Sequence, residues 1–561
     1  MSVPPESPSF PQQFFLQASQ AFSQAWSRWM ASPDSATLIP LQQEWAERYG
    51  ALWRQALEGQ GVHAAEKSSG QAPADRRFSD PAWGESPVHG YLHQLYQLNA
   101  EFFSRAAEAL PVQGETDRAR IRYLVRQIVE AMAPSNFAAT NPQFIRHAIE
   151  TQGESIRTGL QNLLEDMHKG RITMSDESAF EVGRNLAVTP GSVVFENELF
   201  QLIQYAPQTG KVGQRPLLMI PPCINKYYIL DLQPRNSVVR YVVEQGHTVF
   251  LVSWRNPGRE QGRLTWEDYI EQGVLQAIEV VRGISGQRQL NMLGFCVGGT
   301  LLSCALAVAR ARGDDPARSL TLLTTLLDFE DAGEIGVFVD EGSVALRETT
   351  IGQGGLLPGK ELAAMFSSLR ANDLIWQYVV GNYLMGGKPR PFDLLYWNAD
   401  STNLPGPFLA WYLRHMYLQN ELRIPGQLHV GGTPVDLGKL DMPAFILAAR
   451  EDHIVPWASA YASSCLLQGK TEFVLAASGH IAGVINPAVD NKRSHWQGSA
   501  PGIVADDWLE QATEKPGSWW PAWMEWLSPH RGRKVSAPEM PGNEQYPVIE
   551  AAPGRYVKEK A

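Results

Sequence analysis

The chain has 561 residues, 44% of them apolar and 19% charged, with a formal net charge of -11. That length exceeds what one hydrophobic core normally serves and implies two domains, while the negative balance excludes broad nucleic-acid binding and leaves open only a local basic groove for a small anion. No apolar run approaches the roughly eighteen residues of a membrane span, and the first residues lack the basic-then-apolar pattern of a secretory signal, so cytoplasm is the expected compartment.

Residues 12–30 carry Phe15, Phe22, Trp26 and Trp29 at helical spacing with almost no charge. This is a helix packed on its own protein, or else one that meets a partner helix or an apolar surface. Residues 58–80, rich in Gly, Ser, Ala, Gln and charge, read as a flexible linker. Helices resume near Tyr91: Ile121, Leu124, Val125 and Ile128 form one apolar stripe, and Ser155–Met167 gives a further helix. Residues 1–180 therefore read as an all-helical region with no catalytic constellation, a dimerisation or docking module.

The character changes near Val182. Ser192–Tyr205 alternates as a strand; Arg215–Pro222, His247–Trp254, Leu290–Leu293, Ser319–Leu327 and Pro443–Ala449 are short apolar runs separated by helical stretches such as Trp266–Ile284. Runs without polar alternation suit strands buried on both faces, so residues 181–561 predict an α/β domain on a parallel sheet. Residues 330–442 are too many for a connection. With Phe338, Met365, Trp376, Tyr378, Trp411 and Tyr417 they read as an aromatic, mostly helical cap, its rings forming either cap core or substrate wall.

Asn291–Thr300 reads N-M-L-G-F-C-V-G-G-T: an apolar run, a turn with Gly294, Gly298 and Gly299, then the helix-forming stretch Leu301–Arg312. This is a nucleophile elbow with Cys296 at its apex, G-x-C-x-G in place of G-x-S-x-G. Downstream, Pro443–Ala449 leads to Asp452, and strand Glu472–Ala476 leads to His480. Nucleophile, acid and histidine thus follow in the chain order of α/β-hydrolases, each just past a strand end. His480 would take the thiol proton, and Asp452 would hold the imidazole in the useful tautomer. The Val297 N–H would be one oxyanion donor, the second coming from the loop after Arg215–Pro222. His453 either shapes the Asp452 turn or supports the site directly. Cys223, Cys304 and Cys465 read as packing residues; with no C-x-x-C pair, neither a disulfide framework nor a metal site is expected.

Six stretches carry a resemblance. P-P-C-I-N-K-Y-Y-I-L-D-L at 221–232, V-S-W-R-N-P at 252–257, G-F-C-V-G-G-T at 294–300, Y-W-N-A-D-S-T-N-L-P at 396–405, R-E-D-H-I-V-P-W at 450–457 and G-H-I-A-G-V-I-N-P at 479–487 together resemble the polyhydroxyalkanoate synthases. The Phe-Cys-Val elbow is similar to that of class I. The resemblance implies an α/β-hydrolase fold with a helical cap, a Cys296–Asp452–His480 triad, and polymerisation of (R)-3-hydroxyacyl-CoA, short-chain such as 3-hydroxybutyryl-CoA, onto a growing polyester with release of CoA. It implies no separate cofactor, a homodimer, and a cytoplasmic place at the polymer granule and its coat proteins. Whether Asp452 also serves as base for the hydroxyl stays open. The rival readings are a cysteine-elbow thioesterase or polyester hydrolase, and a non-catalytic granule-associated protein.

Overall fold

The computed structural model describes residues 38–57, 75–112, 114–499, 502 and 504–561. The helix expected over 12–30, and most of the expected linker, lie outside these residues. The last part of that linker is folded: Asp75 caps a short 3-10 turn over Arg76–Phe78, and Phe78 is buried edge-on to Trp83. The composition of 58–80 is polar, but one buried aromatic ring is enough to fix its end.

The chain divides into two compact units, Met1–Asp176 with Ala364–Pro391, and Glu177–Ala363 with Phe392–Ala561. In the first, helices α1 (Leu38–Leu57), α2 (Pro87–Ala109), α3 (Glu115–Ala131), α4 (Pro142–Glu150) and α5 (Glu154–Lys169) pack together. Pro87 opens α2 at a position whose N–H would be unused anyway. Asn141 caps α4 by accepting from the N–H groups of Gln143 and Phe144. In α3, Ile121, Leu124 and Val125 are buried as their spacing predicts, whereas Ile128 is 50% exposed. The expected stripe ends one turn early. Helix α5 also leaves Ile156, Leu160, Leu164 and Met167 exposed along one face.

Residues Ala364–Pro391 were expected in the cap, yet they group with these helices. The Tyr123 hydroxyl donates to Ser368 Oγ (2.7 Å), and the Tyr383 hydroxyl donates to Asp166 Oδ2 (2.7 Å). Gly159 explains the closeness of α5 to the π-helical turn Val379–Leu384, since a Cβ there would stand 2.0 Å from the Tyr383 carbonyl oxygen.

The second unit is built on an eleven-stranded sheet: β1 (Gly191–Glu196), β2 (Phe200–Tyr205), β3 (Leu217–Ile220), β4 (Val249–Trp254), β5 (Leu290–Phe295), β6 (Ala317–Leu323), β7 (Ala444–Ala449), β8 (Thr471–Ala476), β9 (Ser494–Ser499), β10 (Thr513–Pro516) and β11 (Glu550–Ala551). Their spatial order is 10-9-8-7-6-5-3-4-2-1-11. The six central strands β3 to β8 pair in parallel, but both flanks are antiparallel, so the sheet is mixed rather than the parallel sheet expected. The difference has a chemical reason. The central strands β3, β4, β5 and β7 are buried throughout, and β6 and β8 are buried except at Arg318 and Glu472, whereas β10, reading T-E-K-P, is exposed throughout and carries no apolar signal. The sheet is covered on both faces by apolar clusters, which makes it a three-layer α/β arrangement.

Candidate active site

The parallel registers decide what meets at the carboxyl edge of the sheet. Phe295 on β5 pairs with Leu323 on β6, Leu323 with Leu447 on β7, and Ala449 with Ala476 on β8. Cys296 follows β5 directly, Asp452 lies three residues past β7, and His480 four past β8, so three segments distant in sequence end side by side.

Cys296 sits between β5 and helix α6 (Val297–Ala311) with φ 52° and ψ -130°, a strained conformation for a residue with a Cβ. Its N–H donates to the Leu323 carbonyl (2.9 Å), and its own carbonyl accepts from Gly299 (2.8 Å), which anchors the bend on both sides. Three glycines make the bend possible by close approach. A Cβ on Gly294 would meet Gly299 Cα at 2.3 Å, one on Gly298 the Ile220 carbonyl oxygen at 2.3 Å, and one on Gly299 Thr325 Oγ1 at 2.2 Å. Residues Val297–Ala309 of α6 are buried without a polar face, so the helix is clamped inside the unit and the Cys296 side chain alone is half-exposed.

His480 Nδ1 is 2.6 Å from Asp452 Oδ2, and both side chains are buried. The other carboxylate oxygen, Oδ1, accepts the N–H groups of Ile454 and Val455, each at 2.9 Å. The two loops are stitched by the Glu451 N–H, which donates to the Ser478 carbonyl (2.9 Å). Phe295 stacks on the imidazole with ring centroids 5.9 Å apart. Behind it the indole N–H groups of Trp519 and Trp520 donate to the carbonyls of Gly483 and Val484, bracing the turn that carries His480. Burial works against a charged imidazole here, but the Asp452 carboxylate and the neighbouring Cys296 outweigh it and hold the His480 pKa up at about 10. Cys296 stands within hydrogen-bonding reach of the ring.

As the first residue of α6, Val297 has no carbonyl within the helix to receive its N–H. The loop expected to face it begins with Pro221 and Pro222, which have no N–H, so its donors start at Cys223. Register pairs Ile220 with Gly294, which lays this loop beside the elbow. His453 has its carbonyl turned to the Glu334 N–H (3.1 Å), an arrangement that shapes the Asp452 turn. Cys304 is buried inside α6, Cys465 is exposed away from these strand ends, and Cys223 is buried near Cys296, its thiol pKa pushed up by burial.

Two features go beyond the sequence: which aromatic rings of the expected cap come near Cys296, and what braces the His480 turn. Burial, and after it the charges of Tyr417 and Cys296, raise the pKa of the Tyr412 hydroxyl; burial and Cys296 raise that of Tyr417. Both tyrosines therefore stand near enough to Cys296 to sense its charge, while Trp266 stacks on Phe408, Trp411 and Tyr412 at 5.1–5.2 Å. Aromatic residues at helical spacing carry no mark that separates wall from core. The Trp519-Trp520 brace was equally silent, because its bonds go to main-chain carbonyls.

Residues 74–242 match the family model for the poly-beta-hydroxybutyrate polymerase (PhaC) N-terminus, and residues 216–487 that for the alpha/beta hydrolase fold. The chain is 57% identical over 532 residues to the poly(3-hydroxyalkanoate) polymerase subunit PhaC of Cupriavidus necator, across 94% of this chain and 89% of that one. It is 40% identical to the subunit PhaC of Rhizobium meliloti, across 91% and 84%, and 38% identical to poly(3-hydroxyalkanoate) polymerase 1 of Ectopseudomonas oleovorans, across 90% of each. Among solved structures, a monoacylglycerol lipase of Paleococcus ferrophilus is similar at 15% identity and a TM-score of 0.32, over 57% of this chain and 97% of that one, too distant to bear on function. On the extent and identity of the polymerase matches, the chain belongs to the poly(3-hydroxyalkanoate) polymerases, acyltransferases on an α/β-hydrolase fold.

Proposed function

We propose that this polymerase joins short (R)-3-hydroxyacyl units, such as 3-hydroxybutyryl from its CoA thioester, through an acyl-Cys296 intermediate. The observation that carries the reading is the buried His480–Asp452 contact at 2.6 Å beside a strained, half-exposed cysteine at the strand-to-helix bend. His480, kept protonated by Asp452, favours the Cys296 thiolate across from it. The thiolate attacks the thioester carbonyl; the new S–C bond forms as the C–S bond to CoA breaks, and CoA leaves with the proton from His480. The Val297 N–H and a donor from the Cys223 loop receive the negative oxygen of the tetrahedral state.

Loading exchanges one thioester for another of similar energy. Growth is driven when the 3-hydroxyl of one unit attacks the thioester of another, since an oxygen ester is the more stable product. The new C–O bond forms as the C–S bond breaks, His480 takes the hydroxyl proton and pairs with the thiolate that leaves, and Asp452 holds the ring. Water at this point would turn the enzyme into a thioesterase, and the partly buried rings of Tyr412 and Tyr417 near Cys296 support its exclusion. CoA is substrate and product in this scheme, and no separate cofactor enters it.

The exposed face of α5, with Ile156, Leu160, Leu164 and Met167, supports a docking role for the helical unit, toward the polymer granule and its coat or toward a second copy of the chain. Leu160→Glu should lower the fraction of protein that sediments with polymer granules, or shift the dimer toward monomer in ultracentrifugation; a variant unchanged in both would remove this face from consideration.

The decisive experiment is release of CoA from (R)-3-hydroxybutyryl-CoA by the purified chain, with the product inspected for insoluble polyester. Polymer supports the proposal. Free 3-hydroxybutyrate in place of polymer would mean hydrolysis on the same site.

A further inference from the structure

Lys226 is 2% exposed, unusual for a lysine, and it lies at the end of the short loop that follows β3. Four bonds hold it and its neighbour. The Lys226 ammonium donates to the Glu559 carbonyl (2.5 Å), its N–H donates to Asn225 Oδ1 (2.8 Å), its carbonyl accepts the Trp397 indole N–H (2.7 Å), and Asn225 forms a β-bridge with Ser401. Burial lowers the ammonium to about 8, so near neutral pH it is charged and its bond to the carbonyl is charge-assisted.

The segment that receives this lysine is itself fastened to the carboxyl ends of β3 and β4. Asn256 Nδ2 donates to the Lys560 carbonyl (2.7 Å), Arg255 pairs with the Glu559 carboxylate (3.3 Å), and Lys560 Nζ pairs with Asp400 (2.8 Å). Asp400 also accepts from the Tyr228 hydroxyl (3.0 Å), and Asn403 bonds Asn256 and Pro257. Residues 556–560, the loop after β3 and the 396–405 stretch thus meet beside the elbow.

Resting on the acyl-transfer reading above, we infer that Lys226 is a positioning residue for acylation: bound to the Glu559 carbonyl, it fixes the Cys223–Asn225 loop so that its N–H can receive the carbonyl oxygen during attack by Cys296. The Trp254 indole N–H holds the near end of the loop at the Pro221 carbonyl (2.9 Å), and the donors come only after the two prolines, toward the end that Lys226 holds. A small displacement of an oxyanion donor costs on the order of a hundredfold in rate.

The test separates acyl transfer from thiolate formation. In a Cys465→Ser background, which removes the exposed thiol, single-turnover CoA release from (R)-3-hydroxybutyryl-CoA is compared with Cys296 alkylation by iodoacetamide. Alkylation displaces iodide at a saturated carbon and needs the thiolate but no oxyanion donor. Lys226→Met, and separately a chain lacking Glu559–Ala561, should slow CoA release at least about tenfold with alkylation within about twofold of the parent. Lys226→Gln, which keeps a donor, should recover part of the loss. CoA release equal to the parent in both variants, or equal losses in release and alkylation, would overturn the inference. A parent chain that releases no CoA would instead overturn the acyl-transfer reading and this inference with it.

Discussion

At the scale of single residues the three side chains proposed for the chemistry have unequal freedom. Cys296 is held by backbone strain, His480 by a carboxylate and two tryptophan-braced carbonyls, and Asp452 by two N–H groups that fix one oxygen and leave the other for the imidazole. Cys296→Ala should abolish CoA release, a loss of about a thousandfold or more, and Cys296→Ser should keep at most a trace. His480→Gln should slow alkylation of Cys296 about tenfold near neutral pH, measured with iodoacetamide. The raised His480 pKa also has a sign in stability. Between the usual value near 6.5 and the folded value of about 10, the native protein holds a proton that the unfolded chain has lost. Stability from this group is full below that window and falls as pH rises through it. Denaturant midpoints should therefore decline more steeply from pH 6.5 to 10 in the parent than in His480→Gln. These three residues were legible because each is an ionisable type just past an apolar run. Lys226 was not, since its partner is a main-chain carbonyl 333 residues away.

The elements that carry the site are shaped by what is missing from them. The bend at Cys296 exists because Gly294, Gly298 and Gly299 have no side chains where strand, helix and the β3 loop come within van der Waals distance. Gly298→Ala should cost about 3 kcal/mol, since its methyl would displace main chain rather than a flexible side chain. Thermal unfolding with and without the substitution gives the number, and an unchanged midpoint would mean that the bend relaxes freely. The strands β3 to β8 were readable from apolar runs, and the helix after the elbow from its composition. The flanking strands β9, β10 and β11 were not. Their residues alternate weakly or are fully polar, and only pairing with an edge already in place makes them strands.

For the whole molecule the division of the chain matters more than its length. Residues Ala364–Pro391 belong with the helical unit, through Ser368, Asn382 and Tyr383, although they lie between parts of the α/β unit in sequence. A chain trimmed to residues 177–561 leaves that segment without α3 and α5, so protease should cut within 364–391 in the trimmed chain and spare it in the full one. Equal resistance in both would show that the segment stands alone. No local pattern announces such a pairing, which depends on residues more than two hundred positions apart. The same division sets an order on biosynthesis. When residue 176 leaves the ribosome the helical unit is still incomplete, because its last piece follows 187 further residues, 177–363, of the other unit. Translation must therefore deliver about half of the elbow-bearing unit, the elbow included, before the first-made unit can close, and the side of α5 around Gly159 has to wait for that delivery.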